Sequence, residues 1–231
     1  MRKYYLTVPL RRSELLWGFG YLLFDFLVLP VLLPLAMLLF GGNLSLAQMN
    51  FIYYFINFAV VLYIFRRFLL DNFTCFAAAV LPRVYMVAVY LAAYFLMNSF
   101  VGSLVFTLDP GFANLNDAAI TSMAGEEFTL MVIGTVLLVP VTEECLFRGL
   151  IFRGLYDKSR ALAWIASVAG FAAVHVVSYI GMYTPMQLLL SFVMYLPAGI
   201  CLGVAYVRSD TIFVPILIHT LVNAIGMHAM R

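Results

Sequence analysis

The chain has 231 residues, 65% of them hydrophobic and only 10% charged, and its 13 Lys and Arg against 11 Asp and Glu leave a formal net charge of +2. A soluble domain carries about 25–35% charged residues on its surface, so this composition excludes one. Basic residues that flank apolar runs, instead of gathering on one soluble face, argue against nucleic acid as a partner. With a mean hydropathy of +1.03, the chain reads as an all-α, polytopic transmembrane helical bundle, a single integral-membrane domain over residues 1–231 whose surroundings are the lipid bilayer.

Apolar runs place spans at 15–40, 48–65, 84–106, 128–153, 161–182, 187–207 and 211–228, seven in all, given that about 20 residues cross the hydrocarbon core. The first is too long for a signal-peptide core and is read as a retained span, with Pro30 and Pro34 marking a kink. The stretch 68–83, interrupted by Asp71, Asn72, Pro82 and Arg83, reads as an interfacial helix, an eighth span being the alternative. Cys75, Cys145 and Cys201 are scattered without a CxxC spacing or a disulfide framework.

The basic residues set the orientation. Arg2, Lys3, Arg11 and Arg12 precede the first span, Arg66, Arg67 and Arg83 lie between the second and third, Arg153, Lys158 and Arg160 between the fourth and fifth, and Arg208 between the sixth and seventh. A cytoplasmic N-terminus puts all eleven on the cytoplasmic side, while the opposite loop, 107–127, carries Asp109, Asp117, Glu126 and Glu127 and no basic residue. At 1.5 Å per residue, Glu143 then lies about 15 Å, His175 about 20 Å and His219 about 12 Å from the cytoplasmic ends of their spans. Three spans thus bring ionisable groups to one layer.

Carboxylates at membrane depth are costly and mark functional sites. Glu144 and Arg148, four apart, pair on one helical face. Glu143, turned about 100° away, has no partner on its own helix. Pro140 frees a backbone carbonyl about one turn earlier, loosening the helix where water enters. Phe171 and His175 share a face of the fifth span, and His219 and Asn223 a face of the seventh. A deep carboxylate and two imidazoles have the chemistry to hold and deprotonate water, and they match a zinc ligand set. The Asn223 amide suits a developing oxyanion.

A lone intramembrane histidine is as often a hydrogen-bonding group as a reactive one, so the argument rests on the three spans together. Asp25 divides evenly between structural and functional use. Asn57, Asn98 and Gln187 read as interhelical hydrogen-bonding groups, and Gly199 and Gly203 as a close-packing face. Cys145 has no base at a defined spacing and is not read as a nucleophile.

Two glutamates, three residues and an arginine (Glu143-Glu144-Cys145-Leu146-Phe147-Arg148), then Phe171 with His175, then His219 with Asn223, resemble in order and spacing the CPBP membrane proteases, also described as the type II CAAX prenyl endopeptidase or Abi family. The resemblance covers about residues 128–228, the catalytic-motif core. It implies an intramembrane endopeptidase in which Glu143 and His175 activate water, His219 and Asn223 position it and stabilise the oxyanion, and Glu144, Arg148 and Phe171 support the site. The substrate would be a membrane-associated or prenylated peptide or protein. It also implies a metalloprotease with a divalent metal such as zinc, for which Glu143, His175 and His219 are the candidate ligands, although the HExxH helix of a soluble zincin is absent. The compact chain points to the bacterial kind, in the cell (inner) membrane. The competing reading is a non-catalytic membrane peptide-binding or bacteriocin self-immunity protein. A proton-coupled carrier is disfavoured because no inverted repeat is visible.

Overall fold

A computed structural model describes residues 6–40 and 43–231; Arg2 and Lys3, used above for orientation, lie outside them. The described residues form eight long helices, α1 (Arg12–Leu27), α2 (Leu29–Phe40), α3 (Leu46–Ala77), α4 (Val80–Leu108), α5 (Leu115–Tyr156), α6 (Arg160–Val174), α7 (Pro185–Ser209) and α8 (Phe213–Ala229), with one 3₁₀ turn, Val177–Tyr179, between α6 and α7. The chain is all-α, with several apolar helices of membrane-spanning length.

Seven crossings were expected. By length and apolarity α3, α4, α5 and α7 qualify, and the bent pair α1–α2 makes a fifth. The expected spans 161–182 and 211–228 became α6 and α8, apolar but only 15 and 17 residues long. The first expected span is broken at Val28, where α1 and α2 diverge by 56°. Pro30 and Pro34 lie just beyond this break; Pro30 stands in the first turn of α2, and Pro34 removes an amide donor from its ladder.

Residues 68–83 form no separate interfacial helix. They are divided between the last turns of α3 and the first turn of α4. Two of the polar side chains that made them look interfacial are consumed by backbone. Asn72 accepts from the Ile212 amide at 2.9 Å and donates to Phe68 O at 2.9 Å. Arg83 donates to the carbonyls of Cys75, Phe76 and Ser209, so it occupies carbonyls that the end of α3 leaves without helical partners. Pro82 stands in the first turn of α4, where no helical donor is needed.

The acidic loop 107–127 is helical from Leu115 onward, capped by Asn114 through the Asn116 and Asp117 amides. The helix breaks at Glu127 (φ −143°, ψ 70°). Glu126 there approaches the Ala47 amide at 3.5 Å, and Glu127 accepts from Gln48 at 3.3 Å. Carboxylates at this point complement the free amides and positive end of α3. Gln187, expected to bond between helices, instead forms a capping box with Thr184 at the start of α7. Asn57 does bond between helices, accepting from Tyr21 of α1 at 2.7 Å.

Gly199 and Gly203 bring α7 against α6. A Cβ on Gly203 would lie 2.6 Å from the Trp164 ring, and one on Gly199 3.3 Å from the Val168 Cα. The main core, including Phe65, Phe68, Leu150, Phe152, Tyr206, Ile212 and Ile218, fills the end of the bundle where the basic residues gather. A smaller cluster around Ala47, Ala124, Met131 and Met227 packs the other end.

Candidate active site

α5 supplies both glutamates from a short α-helical stretch, Val139–Glu144, set between two π-helical ones, Ile133–Leu138 and Cys145–Arg153. Such insertions are rare and concentrate at functional sites. In the first, the Val139 amide bonds Gly134 O, five residues back. The same pattern would give Thr135 O the amide of Pro140, which has none. Asn223 of α8 fills the gap, donating its side-chain amide to Thr135 O at 2.8 Å. The carbonyl that Pro140 was expected to open to water is therefore held by Asn223.

Glu144 and Arg148 are both fully buried and pair at 2.9 Å. Arg148 further donates to Gly199 O at 3.1 Å and lies with its guanidinium 4.5 Å from the centre of the Phe171 ring. Its planar fork and weak hydration suit it to this use of carbonyl, carboxylate and ring face together. Glu144 has a second partner on another helix, His219 Nδ1, at 3.0 Å from the same oxygen that receives Arg148.

His219 and His175 are oriented in the same way. A carboxylate oxygen facing His219 Nδ1 requires the proton on Nδ1, so the neutral ring has its lone pair on Nε2. His175 closes α6, and its Nδ1 lies 2.7 Å from Phe171 O, an acceptor only, so the same assignment follows. Tyr195 stacks on the His175 ring with centroids 4.0 Å apart and planes 20° from parallel. The Tyr195 hydroxyl in turn lies 3.2 Å from both Asn114 and Asp117 at the start of α5.

Both Nε2 atoms stand 3.9 Å from Glu143 Oε2. That oxygen is buried and has no hydrogen-bond partner among the described residues. Three acceptors thus face one small volume, an arrangement that calls for a proton donor or a cation between them. They border a cavity of about 1070 Å³, which Phe171, Asn223 and Asp25 also line. Asp25, 8% exposed, is held by the Tyr53 hydroxyl at 2.9 Å and has no basic partner among the described residues.

The structure therefore brings Glu143, His175 and His219 together and sets Glu144 and Arg148 behind His219. Asn223 adjoins the cavity with one amide donor already used. The donor types and lone pairs fit a His₂Glu metal set. Ligands at about 2.0–2.1 Å in a tetrahedron stand about 3.3 Å apart, closer than the 3.9 Å found. Among the described residues no three His, Cys, Asp or Glu side chains are arranged to hold a metal ion.

Two features were not legible beforehand. The bond from Glu144 to His219 joins residues 75 positions apart. Tyr195 is one of 14 tyrosines, with nothing in its neighbourhood to single it out. No curated protein and no solved structure matches the chain. Residues 125–225, the segment carrying Glu143, His175, His219 and Asn223, match the family model described as Type II CAAX prenyl endopeptidase Rce1-like.

Proposed function

We propose that this protein is an intramembrane endopeptidase that hydrolyses a peptide bond in a membrane-associated or prenylated peptide or protein. The observation that carries this reading is the unpartnered Glu143 Oε2, facing the Nε2 atoms of His175 and His219 at 3.9 Å beside a large cavity. The match over residues 125–225 supports it.

Water between these atoms would give a proton to Glu143 while its oxygen attacks the scissile carbonyl carbon, assisted by His175. The carbonyl electron pair moves to oxygen, where the remaining Asn223 amide proton stabilises the charge that develops, while His219 Nε2 positions the water by accepting a hydrogen bond from it. As the carbon–oxygen double bond re-forms, the carbon–nitrogen bond breaks, and Glu143 returns its proton to the leaving amine. Glu144 fixes the His219 tautomer, Arg148 holds Glu144, and Phe171 packs against Arg148 and His219. A divalent cation such as zinc, held by Glu143, His175 and His219, would supply Lewis acidity at the same point.

In this reading residues 128–228 are the catalytic core of one membrane domain. The chain crosses the bilayer seven times, with α6 and α8 completing the count, and its N-terminus is cytoplasmic. The bacterial inner membrane is its setting. Glu143→Gln keeps the shape of the side chain but removes the base. It is expected to lower cleavage of a membrane-associated peptide by about 100- to 10,000-fold with unchanged thermal stability. Full turnover in this variant would exclude the mechanism.

A further inference from the structure

The two ends of the bundle differ in charge and in packing. At one end, Arg11 pairs with Asp71 at 3.2 Å, Arg83 donates to Ser209 O, and Arg153 donates to Val8 O at 2.9 Å. Thr7 binds the Asp210 carboxylate through its amide and hydroxyl at 2.7 and 2.5 Å. The segment from Leu6 is thereby strapped across the ends of α3, α5 and α7, above the closely packed main core. Phe65, Phe68, Phe152 and Ile212 are among the fully buried side chains there.

The cavity beside Glu143 runs the other way. Among the described residues, no Lys or Arg lines it, and neither does any residue of the strapped segment. Its lining reaches the surface at Asp117 and Ser122 on the first part of α5, Ser178 in the turn after α6, and Ala229 at the end of α8. It also reaches the surface at Phe26 and Pro30, around the break between α1 and α2. All of these lie beyond the site on the side away from the clustered basic residues, at the end that carries Asp109, Asp117, Glu126 and Glu127 and a single arginine, Arg231, which packs over Phe128.

We propose that the site is reached only from this anionic end, so that its substrates are peptide segments presented on the non-cytoplasmic side of the membrane. The side follows from the charge rule, which retains Lys and Arg in the cytoplasm. The break between α1 and α2 adds a lateral opening through which a bilayer-resident segment reaches Glu143 without crossing the packed end. This rests on the reading of Glu143, His175 and His219 as a hydrolytic site, but the position of the opening is measurable without any cleavage.

The test uses the full chain with Cys75→Ser, since Cys145 and Cys201 are buried. Ser178→Cys reports the rim of the cavity, and Lys158→Cys the cationic end. A membrane-impermeant maleimide is expected to label Ser178→Cys in spheroplasts and Lys158→Cys only in inverted vesicles. Labelling of Ser178→Cys only in inverted vesicles, or of both positions from one side, overturns the proposal. In a second arm, one cleavable segment is fused to either side of a single apolar anchor helix. The outward-facing version is expected to be cut at least tenfold faster, and faster cutting of the inward-facing one also overturns the proposal. No cutting of either version, with the labelling as expected, refutes the peptidase reading alone and upholds the placement of the opening.

Discussion

Arg148 and Glu144 show how one buried pair serves two purposes. Glu144 Oε1 receives both Arg148 and His219, so the pair that neutralises a deep charge also orients an imidazole. A second contact of this kind fixes the tautomer and the orientation of the ring it holds. Removing one partner leaves the other charged and buried, and Arg148→Ala is expected to destabilise the fold by about 3–5 kcal/mol. The double variant Glu144→Gln with Arg148→Met should recover most of that, because neither residue then carries a charge. Equilibrium unfolding in mixed detergent checks both, and a single variant within about 1 kcal/mol of the parent would show that the pair contributes little. The pairing was legible because i and i+4 meet on any α-helix. That Glu144 would also reach His219 was not, because two π-helical stretches wind α5 more loosely than 3.6 residues per turn and shift the faces counted along it.

Polarity is the signal that misled at the level of elements. Asp71, Asn72 and Arg83 argued for an interfacial helix, yet each is matched by a partner brought from elsewhere in the chain: Arg11, the start of α8, and the ends of α3 and α7. A sequence shows a polar group but not the distant backbone that satisfies it. Small residues were more transparent, since Gly199 and Gly203 read as a packing face and meet α6 as such. Gly199→Ala places a methyl 3.0 Å from the Val168 side chain and 3.3 Å from its Cα, and backbone cannot yield as a side chain does. The variant is expected to lose about 1–3 kcal/mol of stability and to shift the Gly199 carbonyl away from Arg148. Gly20→Ala in α1, where the added methyl meets nothing within 4 Å, should instead be stabilising by up to about 1 kcal/mol. Thermal denaturation of the two variants side by side separates the close approach from helix propensity, and equal effects would remove the argument for tight α6–α7 contact.

For the whole molecule, the depth argument carried further than the count of spans. Three residues assigned to one layer from the basic loops do meet at 3.9 Å, whereas two of the helices that carry them are short. At 1.5 Å per residue, the 15 residues of α6 and 17 of α8 span about 22 and 26 Å against a hydrocarbon core of about 30 Å. A bilayer meeting short apolar helices thins locally or draws flanking polar groups inward, at a fraction of a kcal/mol per Å. Here the thinning would fall beside the helices that bear His175 and His219, where it shortens the path of water and of a bilayer-resident peptide to Glu143. The longer α3, of 32 residues, accommodates the same bilayer by tilting or by projecting beyond it. Reconstitution into phosphatidylcholine bilayers of increasing acyl length should therefore give the highest unfolding temperature and the fastest cleavage in the thinner members of the series, both declining as the chains lengthen. A maximum in the thickest bilayers would mean that α6 and α8 are extended by the turns that follow them and that the site lies no closer to water than an ordinary span would place it.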